Sequence, residues 1–155
     1  MRGKVENLTA SILKPGFGSD ALHIGQSEAE VIAVLGKPES RTRKYKGQYF
    51  YNYPLRGLEV DFGERGGSVK YIFYFRGGIR GNRQAEVVTD VGVAPGDVRD
   101  KVLQLLGPPD ERGAPVTLHS GTRFGEWFRY RSGINFQFGD DGRVDMITIT
   151  WPISQ

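Results

Sequence analysis

The chain contains no cysteine, which excludes disulfides, thiolate metal sites, cysteine nucleophiles and cysteine-borne lipid anchors. Histidine is almost as scarce, with only His23 and His119. No apolar run approaches the roughly 20 residues that cross a bilayer, and the charged start Met1-Arg2-Gly3-Lys4-Val5-Glu6-Asn7 lacks the apolar centre of a secretory signal. Charge of one sign is also in short supply: the formal net charge is +3, too small to demand a polyanionic partner. A cytoplasmic, non-membrane protein is the expectation, with an envelope location only if an export signal has been lost from the N-terminus.

What is present is an ordinary globular balance. The 155 residues are 38% hydrophobic and 25% charged, enough to bury a real core. Nine Phe, seven Tyr and two Trp favour sheets, and 22 Gly favour many turns. The stretch Val98–Pro109 repeats Glu28–Pro38. Leu106-Gly107-Pro108-Pro109 matches Leu35-Gly36-Lys37-Pro38 at a separation of 71, as do Val102 with Val31, Leu103 with Ile32 and Gly96 with Gly25. Further on, Phe50-Tyr51-Asn52-Tyr53 answers to Trp127-Phe128-Arg129-Tyr130 at 77, and Gly57–Gly63 to Gly133–Gly139 at 76. Gly67–Ile72 then answers to Gly142–Ile147 at 75. A separation that changes only between elements is what loop insertions in a duplicated unit produce. The division expected is residues 1–78 as a first unit with its lead-in and 79–155 as a second, of which 79–96 connect, in one compact body.

Each unit reads as a short helix followed by a three-stranded antiparallel meander, an α+β class with the helices on one face of a shared or abutting sheet. Ser27-Glu28-Ala29-Glu30 is a capping box, Val31, Val34 and Leu35 form the apolar stripe, and Gly36 with Pro38 ends the helix. In the second unit Asp97 is the expected cap, the stripe is Val98, Val102, Leu105 and Leu106, and Gly107 with Pro109 is the stop. At about ten residues neither helix is stable alone in water, so each needs a sheet to pack on. Strand alternation covers 42–53, 57–63 and 68–76 in the first unit, and 115–131 with an interrupting turn, 133–139 and 143–151 in the second. Residues 1–21 read as a short helix or extended lead-in, and Val87-Val88-Thr89-Asp90-Val91 as an extended connection. Asp140-Asp141-Gly142 lacks the further oxygen ligands of a calcium loop and fits a hairpin turn. Asn7-Leu8-Thr9 matches a glycosylation acceptor, which has no export signal to support it.

Because successive side chains on a strand point to opposite faces, the two faces can be sorted. Leu58, Val60, Phe62, Ile134, Phe136 and Phe138 are expected to face the helices, with Tyr51, Tyr53, Phe128, Tyr130, Ile72, Tyr74, Ile147 and Ile149. The opposite face then carries Phe50, Tyr71, Phe73, Phe75 and Trp127 among Asn52, Glu59, Asp61, Arg129, Arg131, Asn135 and Gln137. Aromatic anchors among specific polar groups are the composition of a partner-binding surface. The alternatives are that the N-terminal segment covers the rings, or that a bulge reverses the parity in one strand.

The recurring pattern of Gly, a capped helix ending Val-x-x-x-Leu-Gly-x-Pro, Tyr-x-Tyr, and a hydrophobic strand closing on Asp-Gly-x-Val resembles the repeat of the β-lactamase inhibitory protein-like fold. It is also similar to the single-copy domain of the small outer-membrane assembly lipoproteins. The likeness spans about residues 22–75 and 90–151 and rests on short structural motifs. It implies helices layered on antiparallel sheet and a concave sheet face that grips another protein. The chain departs from the lipoproteins in having no anchor cysteine, and no inhibitory contact residue can be matched.

Catalytic chemistry finds little support. His119 beside Ser120 has no third group to orient it, and Gly16-Phe17-Gly18 and Gly77-Gly78 lack the strand-to-helix context of nucleotide fingerprints. No enzyme activity, cofactor or metal is expected. The leading expectation is a protein-binding module, an inhibitor or immunity-type protein or an accessory subunit, with Trp127, Phe73 and Tyr71 as anchors and Arg129 with Asp61 setting specificity. Its rival is single-stranded nucleic-acid binding, by aromatics stacking bases beside Arg41, Arg43, Lys44 and Lys46. Residues 1–78 hold twelve Lys and Arg against eight Asp and Glu, most of the excess falling in Arg41–Lys46. A strand edge guarded by cations against aggregation accounts for that cluster more simply.

Overall fold

The computed structural model describes residues 10–43 and 48–153. In chain order they form β1 (Ser11–Leu13), α1 (Glu28–Leu35), β2 (Ser40–Arg43), β3 (Tyr49–Tyr53), β4 (Leu58–Asp61), β5 (Tyr71–Phe75) and β6 (Val87–Thr89). There follow α2 (Arg99–Leu106), β7 (Glu111–Gly113), β8 (Val116–Thr117), β9 (Arg123–Phe124), β10 (Trp127–Tyr130), β11 (Ile134–Phe138) and β12 (Val144–Thr150). Eight of the strands make one sheet in the order β2-β3-β4-β5-β12-β11-β10-β7, antiparallel at every step. The sheet therefore runs inward from one edge through the strands after α1 and from the other edge through strands after α2. β5 and β12 meet at its centre, Ile147 opposite Tyr74. β1 pairs parallel with β6, and β8 with β9 in a separate hairpin. No helix among the described residues is long and apolar enough to cross a membrane.

The alternation fixes the buried face as the sequence predicts. Tyr51, Tyr53, Leu58, Val60, Phe62, Ile72 and Tyr74 from one half, with Phe128, Tyr130, Ile134, Phe136, Phe138, Ile147 and Ile149 from the other, are each 7% exposed or less. Val31 of α1 and Val102 of α2 belong to the same core cluster. The register shifts between Gln137 and Phe138, where Phe138 faces Val144. This bulge restores Val144 to the core although it lies an odd number of residues from Ile147.

Both helices are held at their ends in matched ways. The Tyr53 hydroxyl donates to the Gly36 carbonyl just past α1, and the Tyr130 hydroxyl to the Gly107 carbonyl just past α2, each at 2.9 Å. Burial pushes both phenols up to about 12. Ahead of the helices, the Gly25 amide donates to the Val69 carbonyl at 2.9 Å and the Gly96 amide to the Val144 carbonyl at 2.8 Å. These bonds satisfy the helix-terminal and flanking backbone groups that a short helix leaves open.

Several expectations need correcting. The span 42–53 is not one strand but the hairpin of β2 and β3, which pairs Arg43 with Tyr49, so each half gives the sheet four strands rather than three. In 115–131 the interruption is a whole hairpin, β8–β9, and β7 precedes it. The helical stripes hold at Val31, Leu35, Val102 and Leu106 and fail at the other expected positions. Val34, Val98 and Leu105 are 40–42% exposed, whereas Ile32, Leu35, Leu103 and Leu106 pack against the core beside Val31 and Val102. The capping box at Ser27 is present in full, with Ser27 Oγ accepting from the Glu30 amide at 3.1 Å and Glu30 Oε1 from the Ser27 amide at 2.9 Å. Asp97, however, is not the cap of α2. Its carbonyl accepts from the Val144 amide, which holds residue 97 one position too early. Its carboxylate accepts from the Ala94 amide at 2.8 Å and pairs with Lys101 at 3.0 Å. Val98 takes the cap position with no side-chain bond. In the lead-in, Ile12 and Leu13 lie in β1, and Val87–Thr89 is the extended connection. Leu8, the Asn7-Leu8-Thr9 acceptor and Lys44–Lys46 lie outside the described residues.

Candidate functional site

On the face opposite the core, cross-strand pairing sets the predicted residues in rows. One row crosses all eight strands as Ser40, Asn52, Glu59, Phe73, Thr148, Asn135, Arg129 and Glu111. On one side of it Phe50, Asp61, Tyr71 and Thr150 are aligned. On the other side lie Phe75, Met146, Gln137, Trp127 and Gly113. At about 4.8 Å per strand and one row apart, Phe73 and Trp127 stand roughly 16 Å from each other. Arg131 falls beyond the end of β10, in the turn, where its amide donates to Asp110 Oδ2 at 2.7 Å.

Three of the predicted contact residues are covered and cannot touch a partner from these positions. Phe75 is 0% exposed because the connector folds over it: the Arg80 guanidinium lies 5.7 Å from its ring centroid. Arg80 reaches there from a left-handed backbone, φ 52°, the one positive φ outside glycine among the described residues. Phe50 is 5% exposed, with its ring 6.1 Å from that of Phe73. Asp61 is 2% exposed, and its Oδ1 accepts from the Gly63 amide at 2.6 Å. An Arg129–Asp61 specificity pair is therefore not available. Their placement on this face is as expected, but their exposure is not.

The remaining residues form two regions. In the first half Tyr71 is 38% exposed and stacks on the partly buried Phe73 at 6.1 Å. Asn52 is turned toward the edge strand, donating to Thr42 Oγ1 at 2.7 Å and Ser40 Oγ at 3.0 Å, and Glu59 lies between Asn52 and Phe73. In the second half Trp127, Arg129, Asn135, Gln137, Met146 and Thr148 line a shallow depression of about 230 Å3. The Trp127 indole packs on Gly113, where a Cβ would come within 2.2 Å of it. The Arg129 guanidinium sits 5.2 Å from the Trp127 ring and bonds Glu111 at 3.1 Å, which fixes the indole from above. Asn135 Oδ1 is sealed from solvent with no hydrogen-bond partner, the one such side-chain atom among the described residues. Parity locates these residues in the sequence, but the orphan oxygen has no sequence signal.

The edge strands answer each other too. Arg41 of β2 lies 5.0 Å over the Tyr51 ring and Arg112 of β7 5.0 Å over the Phe128 ring. Arg41 thus guards the sheet edge on its aromatic neighbour. The Tyr51 hydroxyl donates to Glu28 Oε1; burial and this carboxylate acceptor raise its pKa. The histidines have other tasks. His23 stacks on Phe17 at 4.7 Å with Nδ1 3.0 Å from the Ile24 carbonyl, and Ser120, beside His119, donates instead to Thr122 Oγ1 at 3.0 Å. No group of three or more His, Cys, Asp or Glu side chains is placed to hold a metal among the described residues.

No protein-family model matches the chain, and no curated protein matches it. Among solved structures it is similar to the DUF4309 family protein YjgB from Bacillus subtilis subsp. subtilis str. 168, at 18% identity over 88% of each chain with a TM-score of 0.54. It is also similar to an extracellular protein containing a SCP domain from Bacillus anthracis str. Ames, at 12% identity and a TM-score of 0.50. That likeness covers 83% of this chain and 44% of the other. At these identities the likeness is one of fold alone.

Proposed function

We propose that the chain is a non-catalytic protein-binding module, an inhibitor or immunity-type protein or an accessory subunit, built from two copies of one helix-plus-strands unit. The helices lie on one side of the joint sheet and the partner docks on the other. Duplication is supported by bonds repeated at matched positions: Tyr53 and Tyr130 on the helix ends, Arg41 and Arg112 over their aromatic neighbours. This pattern is consistent with the repeat of the β-lactamase inhibitory protein-like fold that the motifs resemble.

The observation that carries the docking proposal is the Asn135 oxygen left without a donor in the Trp127 depression. An unsatisfied buried acceptor costs roughly 1–3 kcal/mol. A partner that offers a donor and lets the amide turn outward relieves that cost, while Trp127 and the Tyr71–Phe73 stack supply the large aromatic contact typical of interface anchors. Capture from the source cell followed by mass spectrometry identifies the partner. Replacing Trp127 and Phe73 together by Ala is then expected to weaken binding by about 2–4 kcal/mol. Wild-type affinity in that double variant, measured by calorimetry, rejects this face. A salt titration separates the nucleic-acid alternative, whose affinity falls steeply with added salt.

A further inference from the structure

A second concavity lies on the core side of the sheet. A cleft of about 520 Å3 opens between the end of α1, the turn Pro54–Arg56 and the connector that leads into β6. Its accessible apolar wall is Val34, Leu35 and Leu55, with Leu22, Leu58 and Val87 almost covered beneath, and this size is that of small-ligand sites, roughly 300–1,000 Å3. Tyr74 lines it, 2% exposed and directly across from Leu58. Its hydroxyl makes no hydrogen bond to a described residue, yet the only sealed side-chain oxygen or nitrogen left unpartnered among the described residues is Asn135 Oδ1. The Tyr74 hydroxyl therefore keeps a small accessible surface at the cleft that Tyr74 lines. The residue matched to Tyr74 in the second half is Ile149, 0% exposed, so a hydroxyl at this position is no requirement of the framework.

Two arginines stand at the same end. The Arg83 amide donates to the Pro54 carbonyl at 2.9 Å, and the connector passes Gly57 so closely that a Cβ there would meet the Arg83 carbonyl at 2.2 Å. This contact clamps Arg83 beside Arg56. Neither guanidinium has a carboxylate partner among the described residues, whereas Arg76, Arg99, Arg123 and Arg129 each do. Glu86 also lines the cleft and pairs with neither. Two free guanidiniums against one carboxylate leave the mouth positive. Of the other polar side chains, Ser19 bonds the Leu22 backbone and the Gln84 amide bonds Gly77 and Pro95, while the exposed Ser11 of β1 also lines the cleft.

We propose that this cleft binds a medium-chain aliphatic carboxylate, with the tail along Val34, Leu35 and Leu55 and the carboxylate accepting from Arg56, Arg83 and the Tyr74 hydroxyl. Unpaired guanidiniums give the charge-assisted, bidentate recognition a carboxylate needs, and the apolar wall gives the tail its burial. The site is separate from the outer face and does not depend on its reading.

Isothermal titration of the full chain with decanoate tests it, with decan-1-ol and decyltrimethylammonium as neutral and cationic comparators. Saturable binding of decanoate at micromolar to low millimolar concentration, much weaker for both comparators, is expected. Arg56 and Arg83 are exposed, so the double variant Arg56→Gln, Arg83→Gln keeps the fold, as circular dichroism checks, and its affinity drops at least about tenfold. Tyr74→Phe weakens binding several-fold, and Trp127→Ala with Phe73→Ala leaves it unchanged. No saturable heat with decanoate, equal binding of the cation, or an arginine double variant with wild-type affinity overturns the proposal. Methyl chemical-shift changes confined to the outer face rather than Val34, Leu35 and Leu55 do so as well.

Discussion

The half that begins at α1 and the half that begins at α2 bond their backbones alike and differ where side chains choose partners. In α1, Glu28 accepts from the Tyr51 hydroxyl and from the Gly66 amide at 2.8 Å, bridging helix, strand and turn. The matched residue in α2 is Arg99, which pairs at 2.8 Å with the partly exposed Glu126, and Phe128 stands where Tyr51 does, with no hydroxyl to place. Tyr74 lines a cleft and Ile149 is sealed. The depression around Trp127 exists in the second half, and the β8–β9 hairpin interrupts only that half. What the halves share are the groups that a short helix and an edge strand cannot leave unsatisfied. Side chains outside that set differ between the halves, and both candidate binding sites are made from them.

The strongest way to break the equivalence is at Gly57 and Gly133, the matched turn glycines. Each has positive φ, 70° and 101°, and each is where a distant segment crosses: the connector at Gly57, and at Gly133 the lead-in, whose Gly16 Cα would lie 2.6 Å from an added Cβ. Alanine at either position combines left-handed strain with a backbone clash, an expected loss of roughly 2–4 kcal/mol in urea unfolding. If only one of the two proves costly, the segments are not docked equivalently. The next effect down concerns the helix faces. Val31→Ala and Val102→Ala, both 0% exposed, are expected to cost about 1–3 kcal/mol each, and Val34→Ala and Val98→Ala, at 42% exposure, less than about 0.5. Urea midpoints of the four variants decide it.

The valines also show how far the sequence could be read. Strand parity was legible because a period of two leaves no room for drift, so the core residues from Tyr51 to Ile149 were sorted correctly and the α+β class with a large antiparallel sheet followed. Helix phase was legible only in part, since Glu-Ala-Glu-Val-Ile-Ala-Val-Leu places apolar residues on nearly every side of an eight-residue helix: Val31 and Leu35 were placed correctly, and only packing adds Ile32 and turns Val34 outward. The edge hairpin β2–β3 was hidden because Arg41–Lys46 reads as one charged run with no turn dipeptide. Covering was invisible for a different reason. Phe75 alternates outward as predicted, but what seals it is Arg80, whose left-handed backbone no local rule anticipates in a non-glycine residue.

Smaller again is the contribution of the two tyrosine bonds to the helix ends. Tyr53→Phe and Tyr130→Phe each remove a hydrogen bond worth about 1 kcal/mol, and the two losses are expected to be equal. Burial raises both phenols from 10.0 to about 12. The folded chain thus keeps protons that the unfolded chain gives up, so unfolding releases protons between these values. The stability is complete below pH 10 and is lost as pH rises toward 12. Urea midpoints measured across pH 8–11 should begin to fall near the upper end, and the double Tyr→Phe variant should flatten that decline. An unchanged slope in the double variant rejects these two phenols as the cause.

The smallest expected effect sharpens the contrast most cleanly, because it runs in opposite directions in the two halves. α1 starts at Ser27 with both capping-box bonds made, and Ser27→Ala should cost about 1 kcal/mol. α2 starts at Val98, extended at φ −77° and ψ 152°, with no side-chain bond to the first turn. The backbone there already has the conformation that a capping serine or aspartate adopts, and the valine is 42% exposed. Val98→Ser gives the Lys101 amide an oxygen to bond, and the amide's present acceptor is the Val98 carbonyl at 3.0 Å. Stabilisation by about 0.5–1 kcal/mol is expected, read as a raised urea midpoint with unchanged slope. A lower midpoint would mean that Val98 contributes packing through its pairing with Arg143, and that the second helix is anchored by its strand contact where the first is anchored by its cap.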